Sequence, residues 1–242
     1  MRKRILLVGN NDGLLGVNID IKNYYNFFIS PTGGAWRNDE ICELKNITKE
    51  KFRRIIDSIR SEELDYFIFI FSGHGGSQRQ DTVLELSNNE YVLETEIDGI
   101  ANRQLSIYDC CRCSGELLQE NRIRNEIEAS GGLYYYNSCR RFYESKISEA
   151  INQHIKLYAC RIGETAEDTG DGGVFSHSFI KNAKNVSLNK TKYVSTAFCD
   201  TVSDLRNGGY AQNPDSRFPR CLTSQQLIIS INPCFSVMHE DL

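Results

Sequence analysis

Phe69-Ile70-Phe71-Ser72-Gly73-His74-Gly75-Gly76 is the first of two stretches that decide how this chain folds. The second is Ile107-Tyr108-Asp109-Cys110-Cys111-Arg112-Cys113-Ser114-Gly115. Each begins as a short apolar run and ends in a glycine-bearing turn that carries a reactive side chain. Short apolar runs bounded by turn residues read as buried strands. Working outward, residues 5–8, 66–71, 105–108, 155–159 and 227–231 read the same way. Between the first two, Thr48-Lys49-Glu50-Lys51 followed by Phe52, Ile55, Ile56 and Ile59 spells a capped amphipathic helix. Further helices are expected at about 175–181 and 201–205. Strands alternating with helices predict an α/β fold, a mostly parallel sheet covered on both faces.

At 242 residues the chain is long enough for one such domain with a sizeable core that needs no disulfide or metal staples. With 40% hydrophobic and 25% charged residues it is an ordinary globular composition, which excludes disordered, collagen-like and coiled-coil readings. A net charge of −4 argues against nucleic acid or a membrane surface as a partner. Arg2-Lys3-Arg4, the one basic cluster, reads as a solvated start to the first strand. Nine cysteines, an odd number, have no spacing typical of a secreted disulfide framework. Residues 5–8 are too few for a signal-peptide core, and 66–71 too few for a membrane span. A reducing cytoplasm with reduced thiols is the expected setting. The most loop-like stretch is about 116–152, with Gly131-Gly132 and the basic residues Arg122, Arg124, Arg140, Arg141 and Lys146.

In a parallel sheet the carboxyl ends of the strands share one edge, where ligands bind. His74 and Cys111 are therefore expected to be neighbours. An imidazole beside a thiol helps form the nucleophilic thiolate. Glycines around His74 let a substrate backbone approach and leave the Gly75 amide free to donate to an oxyanion. Taken singly, each turn has a plainer reading: a polar loop histidine, and a cysteine serving as a small buried hydrophobe. Neither Gly73-His74-Gly75-Gly76 nor Gly9-Asn10-Asn11-Asp12-Gly13 matches a phosphate-cradling glycine loop. Cys110, Cys111 and Cys113 lack zinc spacing and a second ligand pair, so no metal is expected.

Ser72-Gly73-His74-Gly75-Gly76 followed by Asp109-Cys110-Cys111-Arg112-Cys113-Ser114-Gly115 resembles the caspase–metacaspase group of cysteine peptidases. The likeness continues in order. Leu15-Gly16 with Asp20 is similar to the family's L-x-G-x-x-N-D-A stretch, with Ile19 where asparagine is usual. Ala159-Cys160-Arg161, then Glu164, Ala166 and Glu167, then Gly173-Val174-Phe175-Ser176 resemble the small-subunit segment. Gln212-Asn213-Pro214 resembles the Q-x-P element ahead of the last strand. The resemblance implies a three-layer sandwich with about six sheet strands in one domain, 1–242. Its large-subunit-like part is 1–115, its linker loop about 116–152, and its small-subunit-like part 153–242.

By the same resemblance Cys111, not Cys110, is the nucleophile and His74 the general base, with Gly75 and Cys111 amides as the oxyanion donors. No third catalytic member is implied. Arg112 stands where metacaspases have histidine, and Cys113 interrupts the usual continuation, so calcium activation is not assumed and no cofactor is expected. His154, His177 and His239 match no catalytic position. Family members that cleave after arginine or lysine carry acidic side chains where Asp20 and Asp109 stand, and two partly desolvated carboxylates favour a cationic P1 side chain. Plainer roles are a helix cap or solvated turn for Asp20 and an Asx turn for Asp109. The expected partners are a protein or peptide substrate and a small-molecule or protein activator. Arg140-Arg141 is the expected self-cleavage position in the linker. Stand-alone bacterial relatives act in anti-phage and cell-suicide systems, which implies an antiviral defence role. A catalytically silent sensor or scaffold is the alternative, against which the presence of both His74 and Cys111 argues.

Overall fold

In the computed structural model, which describes residues 1–113, 133–186 and 190–236, the apolar runs form the centre of the molecule. The chain passes through β1 (Lys3–Asn10), α1 (Gly16–Ile29), β2 (Ile41–Lys45), α2 (Lys49–Ser61) and β3 (Leu64–Gly73). A meander follows, β4 (Gly75–Gln78), β5 (Asp81–Leu86) and β6 (Glu90–Leu93), before β7 (Ala101–Asp109). Next come α3 (Leu133–Glu149), β8 (Gln153–Tyr158), the small hairpin β9 (Asp168–Thr169) and β10 (Gly172–Gly173), and α4 (Val174–Lys184). The last elements used below are β11 (Thr191–Tyr193), α5 (Val194–Asn207), β12 (Asp215–Arg217) and β13 (Ile228–Ile231).

Six strands make the main sheet in the order β12-β8-β7-β3-β1-β2, parallel except for β12 at the edge. Successive side chains on a strand face opposite sides, so runs such as 66–71 supply two apolar layers at once. Ile5, Leu7, Ile68, Ile70, Leu105, Ile107, Ile155 and Leu157 pack with residues of α1, α3, α4 and α5 on one face. Leu6, Val8, Phe67, Phe69, Phe71 and Tyr108 pack with α2 and the β4–β6 meander on the other. The result is the mostly parallel sheet covered on both faces that the alternation predicts, in the three-layer arrangement that the resemblance implies. Helix α2 starts where its cap signal lies: Thr48 Oγ1 accepts the Lys51 N–H at 3.4 Å, and Phe52, Ile56 and Ile59 are buried. Among the described residues no helix is long and apolar enough to cross a membrane.

Four expectations need correction. Residues 227–231 are extended, but β13 pairs antiparallel with β11 outside the main sheet. Lys3 is not solvated: it is 4% exposed, with Nζ 3.1 Å from Glu144 and 4.0 Å over the Trp36 ring centroid. The stretch 116–152 is not one loop, because α3 occupies much of it and buries Cys139, Tyr143 and Ile147 at helical spacing. Arg140 and Arg141 therefore lie on a helix, and Arg140 is only 12% exposed and paired with Glu40 and Glu144. The pair is therefore helical and not part of an open loop, and Arg141 is the exposed member of the two. Arg122 and Arg124 lie outside the described residues.

Candidate active site

Because β1, β3, β7 and β8 are parallel, their carboxyl ends share one edge. Ser72 of β3 is in register with Asp109 of β7, and His74 and Cys111 each lie two residues beyond that pair. Adjacent strands lie about 4.8 Å apart, so the two turns leave the sheet side by side. His74 is 7% exposed, and its Nε2 lies 2.6 Å from the Asp12 carbonyl oxygen in the turn between β1 and α1. A carbonyl only accepts, so Nε2 carries a proton, and in the neutral ring the lone pair that can take a further one is on Nδ1.

The two adjacent cysteines point to opposite fates. Cys110 is 2% exposed and belongs to the apolar layer behind the sheet edge. A Cβ on Gly75 would come 2.7 Å from Cys110 Sγ, so glycine at 75 leaves the room that this thiol fills. Burial pushes the Cys110 thiol well above its ordinary range. Cys111 is half-buried, with Sγ 3.9 Å from the Ala166 carbonyl oxygen; partial burial raises its thiol as well. At rest Cys111 is therefore a thiol that needs a base. The segment around it is pinned by Arg112 N–H to Glu164 O at 3.0 Å and Gly163 N–H to Arg112 O at 2.9 Å. Arg112, 1% exposed, stacks 3.9 Å from the Tyr158 ring centroid and donates to Cys160 O and Asp215 Oδ2. It ties the cysteine turn to the segments following β8 and to edge strand β12.

Gly75 opens β4, directly after the histidine. Glu85 N–H donates to His74 O at 3.0 Å, and hydrogen bonds alternate along an antiparallel ladder. That alternation turns the Gly75 N–H away from β5.

The two aspartates are neither a cap nor an Asx turn. Asp20 sits mid-helix on the buried face of α1 with Val17, Ile21 and Tyr24. It accepts the Ser72 hydroxyl at 2.7 Å and the Gly173 N–H at 3.0 Å. Asp109 accepts the Ser176 N–H, in the first turn of α4, at 3.0 Å. They are 2% and 5% exposed. A Cβ on Gly173 would fall 2.9 Å from Asp109 Cγ and 3.1 Å from Asp20 Oδ2, so both carboxylates crowd round one glycine. Burial, then the charge of Asp109, pushes the Asp20 carboxyl well up. Burial pushes Asp109 up to about 6. No lysine or arginine is among the described groups acting on either carboxyl. Asp168 in β9, a residue with no motif to mark it, adds a third carboxylate; it accepts the Gly16 N–H at 3.2 Å. Ser72 and Ser176 were equally invisible as partners. The one available signal was a carboxylate at a core-facing position of an amphipathic helix. Gly173→Ala is expected to push the two carboxylates apart and lower melting stability by about 1–3 kcal/mol. Thermal unfolding of the variant checks this, and an unchanged midpoint would contradict the crowding.

Among the described residues no group of three or more histidine, cysteine, aspartate or glutamate side chains is arranged to hold a metal ion.

The family model described as the caspase domain matches residues 2–221. This chain belongs to the caspase domain family. Comparison with the curated proteins returns no match. Among solved structures, the caspase domain resembles protein GSU0716 from Geobacter sulfurreducens, with a TM-score of 0.59 at 15% identity, covering 93% of this chain and 97% of that one. It is also similar to the Drosophila initiator caspase Dronc, with a TM-score of 0.59 at 12% identity, over 96% of this chain and 83% of that one. At such identities the likeness is one of fold.

Proposed function

We propose that this caspase domain is a cysteine endopeptidase that cleaves after arginine or lysine. The observation that carries the reading is the pair of strand-end turns: the half-buried Cys111 thiol after β7, and His74 after the neighbouring β3 with Nε2 committed to the Asp12 carbonyl. Nδ1 of His74 takes the Cys111 proton, the thiolate attacks the peptide carbonyl, and the same proton passes to the leaving amine. Gly75 and Cys111 N–H groups stabilise the oxyanion, and water then releases the acyl-enzyme.

Specificity follows from charge. Asp20 and Asp109 form a buried acidic pair on which no lysine or arginine among the described residues acts, and a P1 guanidinium or ammonium supplies that charge. An acidic P1 residue would meet repulsion instead. Gly172 and Gly173 of the small hairpin border the same carboxylates, so P1 entry requires this hairpin to shift. That requirement favours an enzyme switched on by a separate activator, small molecule or protein; a cytoplasmic defence response is the setting that the motif resemblance implies. The test is a peptide-amide library varied at P1. Cleavage concentrated on arginine and lysine is expected; preference for aspartate would refute the specificity, and a library left intact in the presence of infected-cell extract would favour the silent scaffold.

A further inference from the structure

Glu85 is a buried carboxylate that the chemistry above does not use. It lies on β5 opposite His74: the β4–β5 register pairs Gly75 with Leu84, and the next step pairs His74 with Glu85, whose N–H bonds the His74 carbonyl at 3.0 Å. Directly opposed residues of an antiparallel pair project to the same face, with Cβ atoms about 5 Å apart. Leu84 and Leu86 turn into the apolar layer, so alternation sends Glu85 to the other side, where the imidazole stands. Glu85 is 3% exposed, and its Oε2 is buried without a hydrogen-bond partner among the described residues. An orphaned buried carboxylate oxygen is costly unless a charge arrives to meet it.

We propose that Glu85 is a positioning residue for His74, its carboxylate holding the imidazolium that forms when the ring takes the Cys111 proton. The inference rests on the Cys111–His74 reading and deepens it. While the ring is neutral, the Asp12 carbonyl fixes its orientation. Once protonated, the ring carries a full positive charge in a site 7% exposed, and a carbonyl dipole alone is a weak counter-charge. Burial raises the Glu85 carboxyl while His74 pulls it back down, the sign expected of a carboxylate facing this ring. The charged groups around the imidazole are Asp12 from the turn after β1, Glu85 from β5 and Asp168 from β9. Of the three carboxylates, Glu85 is the one set opposite the ring in a strand ladder.

The test needs no activator. Iodoacetamide alkylation of Cys111 in the intact chain, located by mass spectrometry, is followed against pH for wild type, Glu85→Gln and Glu85→Asp. In wild type Cys111 should react fastest of the cysteines at neutral pH. Glu85→Gln should slow it about tenfold there, the equivalent of one pKa unit of imidazolium stabilisation. The two proteins should converge at high pH, where the thiol ionises without help from the ring. Glu85→Asp, which keeps the charge, should recover part of the neutral-pH rate and covers the case in which glutamine does not fold. Equal rates for wild type and Glu85→Gln across the pH range would overturn the role of Glu85 alone. A wild-type Cys111 no faster than the other thiols would overturn the Cys111–His74 pair on which it rests.

Discussion

Cys111→Ala is expected to abolish peptide-amide hydrolysis, and His74→Ala to lower kcat/KM by on the order of a thousand-fold or more. Cys110→Ala should leave activity within about tenfold of wild type. The contrast between neighbours is what makes the experiment decisive. Both cysteines are thiols one residue apart, and a general effect of removing sulfur would strike both. Cys110 is 2% exposed and packed against Gly75, so its loss is a packing defect costing about 1–2 kcal/mol of stability. Cys111 is half-buried at the strand edge that also presents His74. Its raised thiol means that little thiolate exists before the base acts, so removing His74 should hurt almost as much as removing the sulfur. The measurement is kcat/KM on an arginine-P1 peptide amide alongside thermal unfolding. Cys111→Ala retaining turnover would displace the nucleophile; Cys110→Ala losing it without unfolding would make Cys110 the candidate instead.

The central strands were legible because each is buried on two faces, which leaves an unbroken apolar run in the sequence. Residues 66–71 and 105–108 lie in β3 and β7, and both reactive turns follow them directly. Helix α1 escaped that reading because its buried face includes Gly16 and Asp20, which break the apolar pattern a helix is recognised by. Those are site residues, so the pattern failed where the acidic pair had to be built. Helix α3 escaped for a different reason. Its buried positions Cys139, Tyr143 and Ile147 recur with helical period, but the basic residues between them and the preceding glycine pair dominate the local composition. Lys3 shows the limit of reading charge as solvation: a lysine can be buried where an aromatic face and a carboxylate receive it, as Trp36 and Glu144 do here.

The site divides along the same line. His74 and Cys111 sit in motifs whose residue types are rare outside their chemistry, whereas Glu85 and Asp168 depend on long-range placement. Nothing local marks Glu85 as different from any acidic residue in an exposed hairpin. It acquires its place only through the β4–β5 register, and Asp168 only through the turn that brings β9 onto the start of α1.

Asp109→Asn and Asp20→Asn should each reduce kcat/KM for arginine-P1 peptides by about 2–5 kcal/mol, roughly thirty-fold to several thousand-fold. The same substitutions should stabilise the free protein at pH 7. Both effects come from two carboxyls buried side by side with raised pKa values and no lysine or arginine among the described residues acting on them. In the unfolded chain an aspartate ionises near 4, while folded Asp109 holds its proton up to about 6. Between those values the folded state binds more protons, so this contribution to stability is fully present below about 4 and lost as pH rises through about 6. At neutral pH the pair is a standing cost, and removing one carboxylate while keeping an oxygen to accept the Ser72 or Ser176 hydrogen bond should recover on the order of 1–3 kcal/mol. An arriving P1 cation reverses the balance, since it favours the charged form that burial disfavours. Cleavage after arginine should therefore weaken as pH falls below about 6, more steeply than cleavage of the same peptide with neutral citrulline at P1; the ratio of the two isolates the acidic pair from the titration of Cys111 and His74. Thermal unfolding at pH 5 and pH 7, together with that ratio, checks both halves. An Asp109→Asn protein that is less stable at pH 7 and still prefers arginine would show that these carboxylates serve the fold and not the substrate.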